Sequence, residues 1–429
     1  MRILRGLVAD TRPLRNDHFR RLWTANIVTV IGAQLTIVAV PAQIYAMTGS
    51  SAWVGLTGLF GLVPLVVFGL WGGALADVFD RRTILLITTW GLIITSGLFW
   101  LQAAVGGIDG FGVWFLLGLF SVQQAFFAVN QPTRSAILPA LLPAGLIPSA
   151  ASLNMTVMSA GAIAGPLVGG ALIPLLGYSW LYALDTITLF ATLWAVVGLP
   201  ALAVDGAVAK VPGLRSVVDG FAYLRHHPVL LMSFVVDLVA MVFGMPRALF
   251  PEIAHLDFGG DAEGGMVFAL LFAAIPAGAV LGGVLSGWVS RIERQGLAVI
   301  LCILVWGGAM TGFGIAVFFS DLSRPLMLGV ALSCLAVGGA ADMASAAFRT
   351  SMLLTAADDN VRGRLQGVFI VVVAGGPRVA DVAHGAAAAL VGTAIAAAGG
   401  GALVIVATII AALVVPSFVR YRISRPATD

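Results

Sequence analysis

Residues 161–170 read GAIAGPLVGG, and this stretch indicates the kind of fold more clearly than any other part of the chain. Gly161, Gly165 and Gly169 recur at every fourth residue, so on a helix they share one face. Such a face forms a groove that a second helix can enter almost backbone to backbone, a packing device of membrane helices. Pro166 removes one backbone donor from the helix and predicts a kink there.

The glycine stretch lies in one of twelve apolar blocks. The chain is 60% hydrophobic and only 10% charged, whereas soluble domains carry about 25% charged residues. Each block is long enough to cross a hydrocarbon core of about 30 Å, and a backbone in hydrocarbon must pair its amides within the segment, as a helix does. We therefore predict an all-α membrane protein with twelve transmembrane helices in two six-helix bundles. The predicted spans are residues 22–46, 53–76, 83–105, 112–131, 149–176, 180–203, 229–254, 265–289, 297–319, 326–348, 365–392 and 399–417.

The basic residues predict the orientation of these spans. With the amino terminus inside, 20 of the 23 Lys and Arg residues fall in cytoplasmic connections, Arg349 after the tenth span among them. Arg324 alone falls outside, and Arg247 and Arg378 lie within spans. This asymmetry follows the positive-inside rule. It predicts a multi-pass protein of the bacterial inner membrane with both termini in the cytoplasm.

Two short strings recur at nearly the same separation. Residues 72–75, GGAL, are echoed 210 residues later by GGVL at 282–285, and RSAIL at 134–138 is echoed 215 residues later by RTSML at 349–353. Each copy follows the corresponding span of its half. A duplicated six-helix unit is a common plan for secondary transporters.

The predicted domains follow from this duplication. Residues 1–204 form an amino-terminal six-helix bundle, and residues 229–429 form a carboxy-terminal one. Residues 205–228, the longest connection, read as a cytoplasmic linker with an amphipathic helix on the membrane surface.

The string GGALADVFDRR, residues 72–82, resembles the loop that the major facilitator superfamily carries between its second and third helices. The resemblance implies that Gly73 permits close packing and that Asp77 latches against the other half. It also implies that Arg81 and Arg82 anchor the cytoplasmic edge.

The fifth span carries a second resemblance. The pattern GxxxGPxxGG, which ends at Gly170, is similar to the fifth-helix motif of proton-coupled antiporters in this superfamily. VPAQIYAMT (residues 40–48) and RALFPEIA (247–254) resemble the bacterial enterobactin-exporter branch. DDNVRGRLQG (358–367) is similar to the loop that many exporters of this and neighbouring branches carry between helices ten and eleven. These likenesses imply a proton-coupled exporter of a siderophore-like or drug-like molecule. Multidrug efflux without a siderophore role is the alternative, and nutrient uptake is a weaker one.

The chain departs from the family pattern in two places. In the loop, Asp80 stands where the family has a glycine, and Val78 where it has a basic residue. Many drug–proton antiporters also have an arginine within helix four, whereas residues 112–131 contain none. We therefore do not expect arginine-assisted proton handling in that helix.

Ionisable residues inside apolar spans are costly and mark candidate transport sites. The deep ones, all in the second half, are Asp237 and Arg247 in span seven, Asp342 in span ten, and Arg378 and Asp381 in span eleven. Near the outer surface, we expect Asp185 to be a hydrated or capping carboxylate and Glu252 to be solvated.

Span eleven also contains Gly375-Gly376-Pro377, which predicts an unwound helix near mid-membrane. Arg378, Asp381 and His384 follow at three-residue spacing and should share a face. One interpretation is a structural ion pair between Arg378 and Asp381. The other has Arg378 anchoring an anionic or hydroxyl-rich substrate and Asp381 accepting a proton.

By the resemblance, helices one, four, seven and ten line a central cavity. Asp237 and Asp342 would then face Gln34, Gln123 and Gln124 from the first half. These amides offer hydrogen bonds without charge.

Other function classes lack their sequence signals. The chain has no GxxxxGK[ST] nucleotide-binding loop and no nucleophile–histidine–acid set in a connection, so we expect no enzyme activity. We expect no cofactor, metal or nucleic acid. The expected partners are a small-molecule substrate, protons and the lipid bilayer, with the protein acting as a monomer.

Overall fold

A computed structural model describes residues 10–106, 112–200, 222–356 and 362–422, and these residues form helices without any strand. Within these ranges, the side chains of residues 70, 73, 74, 76–78, 290, 354–356, 362–371, 373 and 374 are not described. Gly73 and Asp77 of the predicted latch therefore lie outside the described side chains.

The long helices follow the apolar blocks of the sequence. Ten segments of the described chain are long and apolar enough to cross a membrane. The all-α membrane fold is thus confirmed, while the count of twelve crossings stays a prediction. The helices are α1 (Asp17–Thr48), α2 (Ser51–Val78), α3 (Arg81–Ala104), α4 (Gly112–Leu141), α5 and α6 (147–176 and 178–197, within Ile147–Val197), α7 (Pro228–Gly244), α8 (Met266–Val284), α9 (Gln295–Phe318), α10 (Arg324–Ala356), α11 (Arg362–Val391) and α12 (Thr393–Val414).

Two tight connections repeat the internal duplication. Gly177 joins α5 to α6 with φ 73° and ψ 170°, and Gly392 joins α11 to α12 with φ 82° and ψ 162°. A positive φ is strained for any residue with a Cβ, so both turns require glycine. The two glycines stand 215 residues apart (392 minus 177), the same offset as Arg134 and Arg349.

The described residues divide into two compact units. Unit 1 consists of Met1–Val40 and Val63–Gly213, and unit 2 of Pro41–Leu62 and Leu214–Asp429, within the described ranges. Unit 2 therefore contains the end of α1 and the start of α2 together with α7 to α12. The predicted linker lies outside the described residues up to residue 221, and the predicted domain boundaries stay a prediction.

Within unit 1, the glycine face of α5 lies against α1. A Cβ on Gly161 would lie 2.2 Å from Val30 Cγ1, and one on Gly165 would lie 2.1 Å from Gln34 Cβ. Side chains at these positions would force the helices apart. Pro166 lies inside α5 without interrupting it, and the chain leaves the helical conformation at Gly177 instead.

The start of α3 explains one departure from the family loop. The carboxylate of Asp80 accepts hydrogen bonds from the backbone N–H of Arg82 (3.3 Å) and the hydroxyl of Thr83 (3.0 Å), as a helix N-cap does. The Arg82 guanidinium donates to the carbonyl oxygen of Val197 at 2.9 Å. This bond ties the first turn of α3 to the end of α6.

Two helices run further than the sequence predicts. α4 continues from the predicted end at residue 131 to Leu141, and α10 from residue 348 to Ala356. Both extensions bury an apolar side chain in the added turns, Ile137 in α4 and Met352 in α10. Arg134 and Arg349 are therefore helical residues and not loop residues, while their place on the cytoplasmic side stays a prediction. α4 also contains an arginine after all, close to its carboxyl end.

Candidate functional site

Three ionisable side chains meet in unit 2 between α7 and α10. The Arg349 Nη1 atom contacts the Oδ2 atom of Asp237, and its Nη2 atom lies 3.8 Å from Asp342 Oδ1. The side chains of Asp237 and Arg349 are 1% and 7% exposed, whereas that of Asp342 is 30% exposed. We call these three residues the Arg349 cluster.

The charges of the Arg349 cluster do not balance. Two carboxylates share one guanidinium, so the cluster carries a net charge of −1 when all three groups are ionised. Unbalanced charge is expensive away from water. One proton would make the cluster neutral.

A small cavity adjoins the Asp237–Arg349 contact. Its volume is about 10 Å³, and Ser233, Phe234, Asp237, Arg349 and Leu353 line it. A cavity of this size is close to the minimum for one water molecule, and its polar lining would hold that water.

Sequence reasoning found the two aspartates of this cluster but missed the arginine that joins them. Arg349 stands where the mean hydropathy falls at the end of the tenth apolar block, so it looks like a loop residue. The sequence does contain a signal that Arg349 is helical: apolar residues continue at helical spacing from Phe348 to Met352, and both are buried in the structure.

A second group of charges surrounds a break in span seven. α7 ends at Gly244, Met245 and Pro246 are not helical, and a 3₁₀ turn begins at Arg247. Proline disfavours the helical conformation at the preceding residue and lacks an N–H of its own. The break places Arg247 beside α11.

Asp381 pairs with Arg247 across this break. Arg247 Nη2 lies 3.9 Å from Asp381 Oδ2, with side chains 37% and 9% exposed. An Arg378–Asp381 ion pair, one of the two interpretations of the stripe, stays a prediction, and the pairing with Arg247 of span seven was not foreseen. Arg378 lies one helical turn before Asp381 on α11 and acts on it electrostatically. We call Arg247, Arg378 and Asp381 the Arg247 cluster.

α11 itself is continuous, so the predicted unwinding at Gly375-Gly376-Pro377 is wrong. The helix runs from Arg362 to Val391 with Pro377 inside it. A Cβ on Gly376 would lie 2.8 Å from Met241 Cβ. The glycine therefore serves close packing of α11 against α7, and a membrane helix tolerates the proline when its neighbours support it.

His384, the third residue of the predicted stripe, packs against Gly400 of α12. Its Nδ1 atom hydrogen-bonds with the Ala380 carbonyl at 3.1 Å. Its Nε2 atom would lie 2.8 Å from a Cβ built on Gly400. The ring is buried between α11 and α12.

The first turns of α2, which belong to unit 2, cover α11 at the Arg247 cluster. A Cβ on Gly55 would lie 2.5 Å from the Asp381 carbonyl oxygen, and one on Gly58 would lie 2.1 Å from that of Arg378. The amide of Ser51 donates to Glu252 Oε2 at 3.0 Å. Glu252 thus binds the amino end of α2 while its side chain stays partly exposed.

The amides predicted to face these charges lie in unit 1. Gln34 packs into the glycine groove of α5, Gln123 of α4 is buried, and Gln124 is partly exposed. Their role opposite the charges of the second half stays a prediction.

Comparisons with known proteins give the chain a family and a fold. A family model described as transmembrane secretion effector matches residues 8–422. The enterobactin exporter EntS of Shigella boydii serotype 18 is 29% identical over 356 residues, which cover 82% of this chain and 80% of that protein. The protein of the same name from Escherichia coli O1:K1 is 28% identical over the same shares.

Solved structures resemble the chain over nearly its whole length. A bacterial homologue of the iron transporter ferroportin, in an inward-facing state, gives a TM-score of 0.68 at 13% identity, covering 94% of this chain and 98% of that one. A D-xylose–proton symporter gives 0.68 at 13% identity, covering 92% and 97%. At such identities the likeness shows the fold alone.

Proposed function

Because the chain belongs to the family of transmembrane secretion effectors, we propose that it exports a small molecule from the cytoplasm in exchange for protons. The chain is a multi-pass inner-membrane transporter of the major facilitator type and not an enzyme. Proton exchange, the substrate and the orientation of the termini belong to the proposal.

The unbalanced charge of the Arg349 cluster is the observation that carries proton coupling. Asp237 is fully buried and contacts the guanidinium directly, whereas Asp342 is partly exposed and lies further from it. Asp342 is therefore the carboxylate that accepts the proton in this proposal. When Asp342 is neutral, Arg349 forms an ion pair with Asp237 alone. Proton binding at Asp342 of α10 therefore changes the electrostatic contact between α10 and α7.

The Arg247 cluster has the opposite imbalance and supports the substrate site. Arg247 and Arg378 carry two positive charges against the single negative charge of Asp381. Guanidinium groups bind carboxylate and phosphate oxygens with two parallel hydrogen bonds. An anionic or hydroxyl-rich substrate would displace the long Arg247–Asp381 contact.

A siderophore-like substrate is the form of this proposal that the enterobactin exporters support. An identity of 28–29% supports membership of the same branch of the family more strongly than it supports the same substrate. Drug-like molecules of similar charge remain the alternative cargo.

The test is transport of enterobactin by purified protein in proteoliposomes. An imposed pH gradient should accelerate uphill movement, and a protonophore should abolish that acceleration. Asp342→Asn should keep downhill movement and lose the response to the gradient, whereas Asp261→Asn, a change at an exposed carboxylate outside the helices, should behave as the wild type. Transport that ignores the pH gradient and needs added sodium would contradict the proposal.

A further inference from the structure

Asp185 of α6 is a third buried carboxyl group among the described residues, and it lies in unit 1. Its side chain is 2% exposed. The hydroxyls of Thr36 on α1 and Ser96 on α3 both donate to its Oδ2 atom, at 2.7 and 2.8 Å. The expectation of a hydrated or capping carboxylate near the surface is therefore wrong.

The other carboxyl oxygen of Asp185 has no partner. Oδ1 accepts no hydrogen bond and has no surface that a water molecule could touch. Gly32 of α1 closes this side, since a Cβ built on it would lie 2.9 Å from Oδ1. The close approach of α1 to α6 thus keeps water out.

The groups that face Asp185 bring no compensating charge. α1 presents Gly32 and Thr36, and α3 presents Ser96. On α6 itself the nearest titratable side chain is Tyr182, which is buried and stacks on Phe99 of α3. Among the described residues, no Lys, Arg or His acts on the carboxyl group.

An ionised carboxylate in this setting would be poorly stabilised. Two hydroxyl bonds satisfy one oxygen, while the other would hold negative charge against carbon and backbone atoms. A buried charge without a partner costs far more than a buried neutral group. A proton on Oδ1 removes that cost without disturbing either hydroxyl bond.

The same hydroxyls would stabilise the anion once water reaches Oδ1. Carboxylates accept charge-assisted hydrogen bonds that are stronger than bonds to the neutral acid. Access of water to Oδ1 would therefore favour the ionised form of Asp185, and its exclusion at Gly32 favours the protonated form. We propose that Asp185 is a proton-binding site of unit 1 that holds a proton in the arrangement described here and releases it during transport.

The contact between α1 and α6 does not depend on Asp185 alone. Two turns further along α6, the hydroxyls of Thr192 and Thr29 lie 2.6 Å apart, and Thr29 also approaches the Thr188 carbonyl at 3.3 Å. These bonds remain when the carboxyl group is changed. Asp185→Asn, which keeps the shape and stays neutral at every pH, should therefore fold.

Infrared difference spectroscopy on purified protein in lipid tests the proton directly. The C=O stretch of a protonated carboxyl group should be present in the wild type at neutral pH and absent from Asp185→Asn, while Asp261→Asn should keep it. Thr36→Val removes one donor to the anion, so the band should persist to a higher pH than in the wild type. A wild-type spectrum without a band assignable to Asp185 would overturn the proposal.

The release of the proton rests on the proposed proton-driven export and has its own readout. With enterobactin as the probe, Asp185→Asn should exchange it across the membrane but fail to accumulate it against a gradient. Normal accumulation by Asp185→Asn would mean that Asp185 only accepts structural hydrogen bonds. Loss of the wild-type infrared band on adding sodium would mean that the site binds sodium and not a proton. If the wild type itself shows no proton-driven export, the proposed function fails, while the infrared titration still decides proton binding.

Discussion

Removing the arginine of the Arg349 cluster should cost more stability than removing either of its aspartates. Arg349→Gln leaves two carboxylates without a cation, one of them 1% exposed. Loss of one member of a buried ion pair costs about 3–5 kcal/mol. Asp237→Asn instead leaves Arg349 balanced by Asp342 at 3.8 Å, so its cost should stay below about 2 kcal/mol.

Asp342→Asn should cost least, below about 1 kcal/mol, because that side chain is partly exposed and its contact is long. For a unit of this size, 1 kcal/mol shifts the melting temperature by about 2–4 °C. Arg349→Gln should therefore melt about 6–20 °C below the wild type, and below both aspartate variants.

The assay is thermal unfolding of the four proteins in one detergent, followed by intrinsic fluorescence. Arg420→Gln, a change at an exposed arginine outside the cluster, is the matched control and should melt with the wild type. Equal destabilisation by Arg349→Gln and Asp237→Asn would refute the reasoning. It would mean that Arg349 and Asp237 form a simple pair, with Asp342 electrostatically independent of them.

Three further predictions test the packing, the turns and the orientation. Gly58→Ala should destabilise the protein by about 1–3 kcal/mol because its Cβ would meet the Arg378 carbonyl. Gly69→Ala on the same helix places its Cβ in open space and should leave the stability unchanged. Equal melting temperatures of the two variants would contradict this. Gly392→Ala should lower the unfolding free energy by about 1–2 kcal/mol through strain at positive φ, and an unchanged value in chemical denaturation would count against the turn. In a variant without native cysteines, a cysteine at 261 should react with an impermeant maleimide in intact cells and one at 210 should not, and the reverse pattern would invert the topology.

The fold could be predicted because its signal is local. The length and composition of each apolar block predict a helix by themselves. Glycines such as Gly161 indicate a packing face even when the partner helix is not known. The ends of the helices have weaker local signals in the sequence. Gly177 joins two helices with a single residue, and the last turns of α10 carry an arginine that only burial explains.

The pairing within the site could not be predicted, because it depends on contacts between distant parts of the chain. Asp237 and Arg349 are 112 residues apart, and Asp381 and Arg247 are 134 apart. Their apposition comes from how α7 packs against α10 and α11. The helix break shows the same limit: Gly-Met-Pro in span seven and Gly-Gly-Pro in span eleven give similar local signals, and only the first breaks its helix.

Asp185 illustrates why position along a span is a poor guide to environment. Its place near a predicted span end suggested contact with water. The structure surrounds it with Thr36 and Ser96 from two other helices. Burial of this kind is set by the bundle and not by the segment.

Substrate-driven proton movement is the most direct test of the central claim, proton-coupled export. Proteoliposomes would be prepared with equal pH on both sides, an enterobactin gradient and a pH-sensitive dye inside. The account predicts that enterobactin moving down its gradient drives protons the opposite way in the wild type and not in Asp342→Asn. Enterobactin movement by the wild type without any change in internal pH would contradict it.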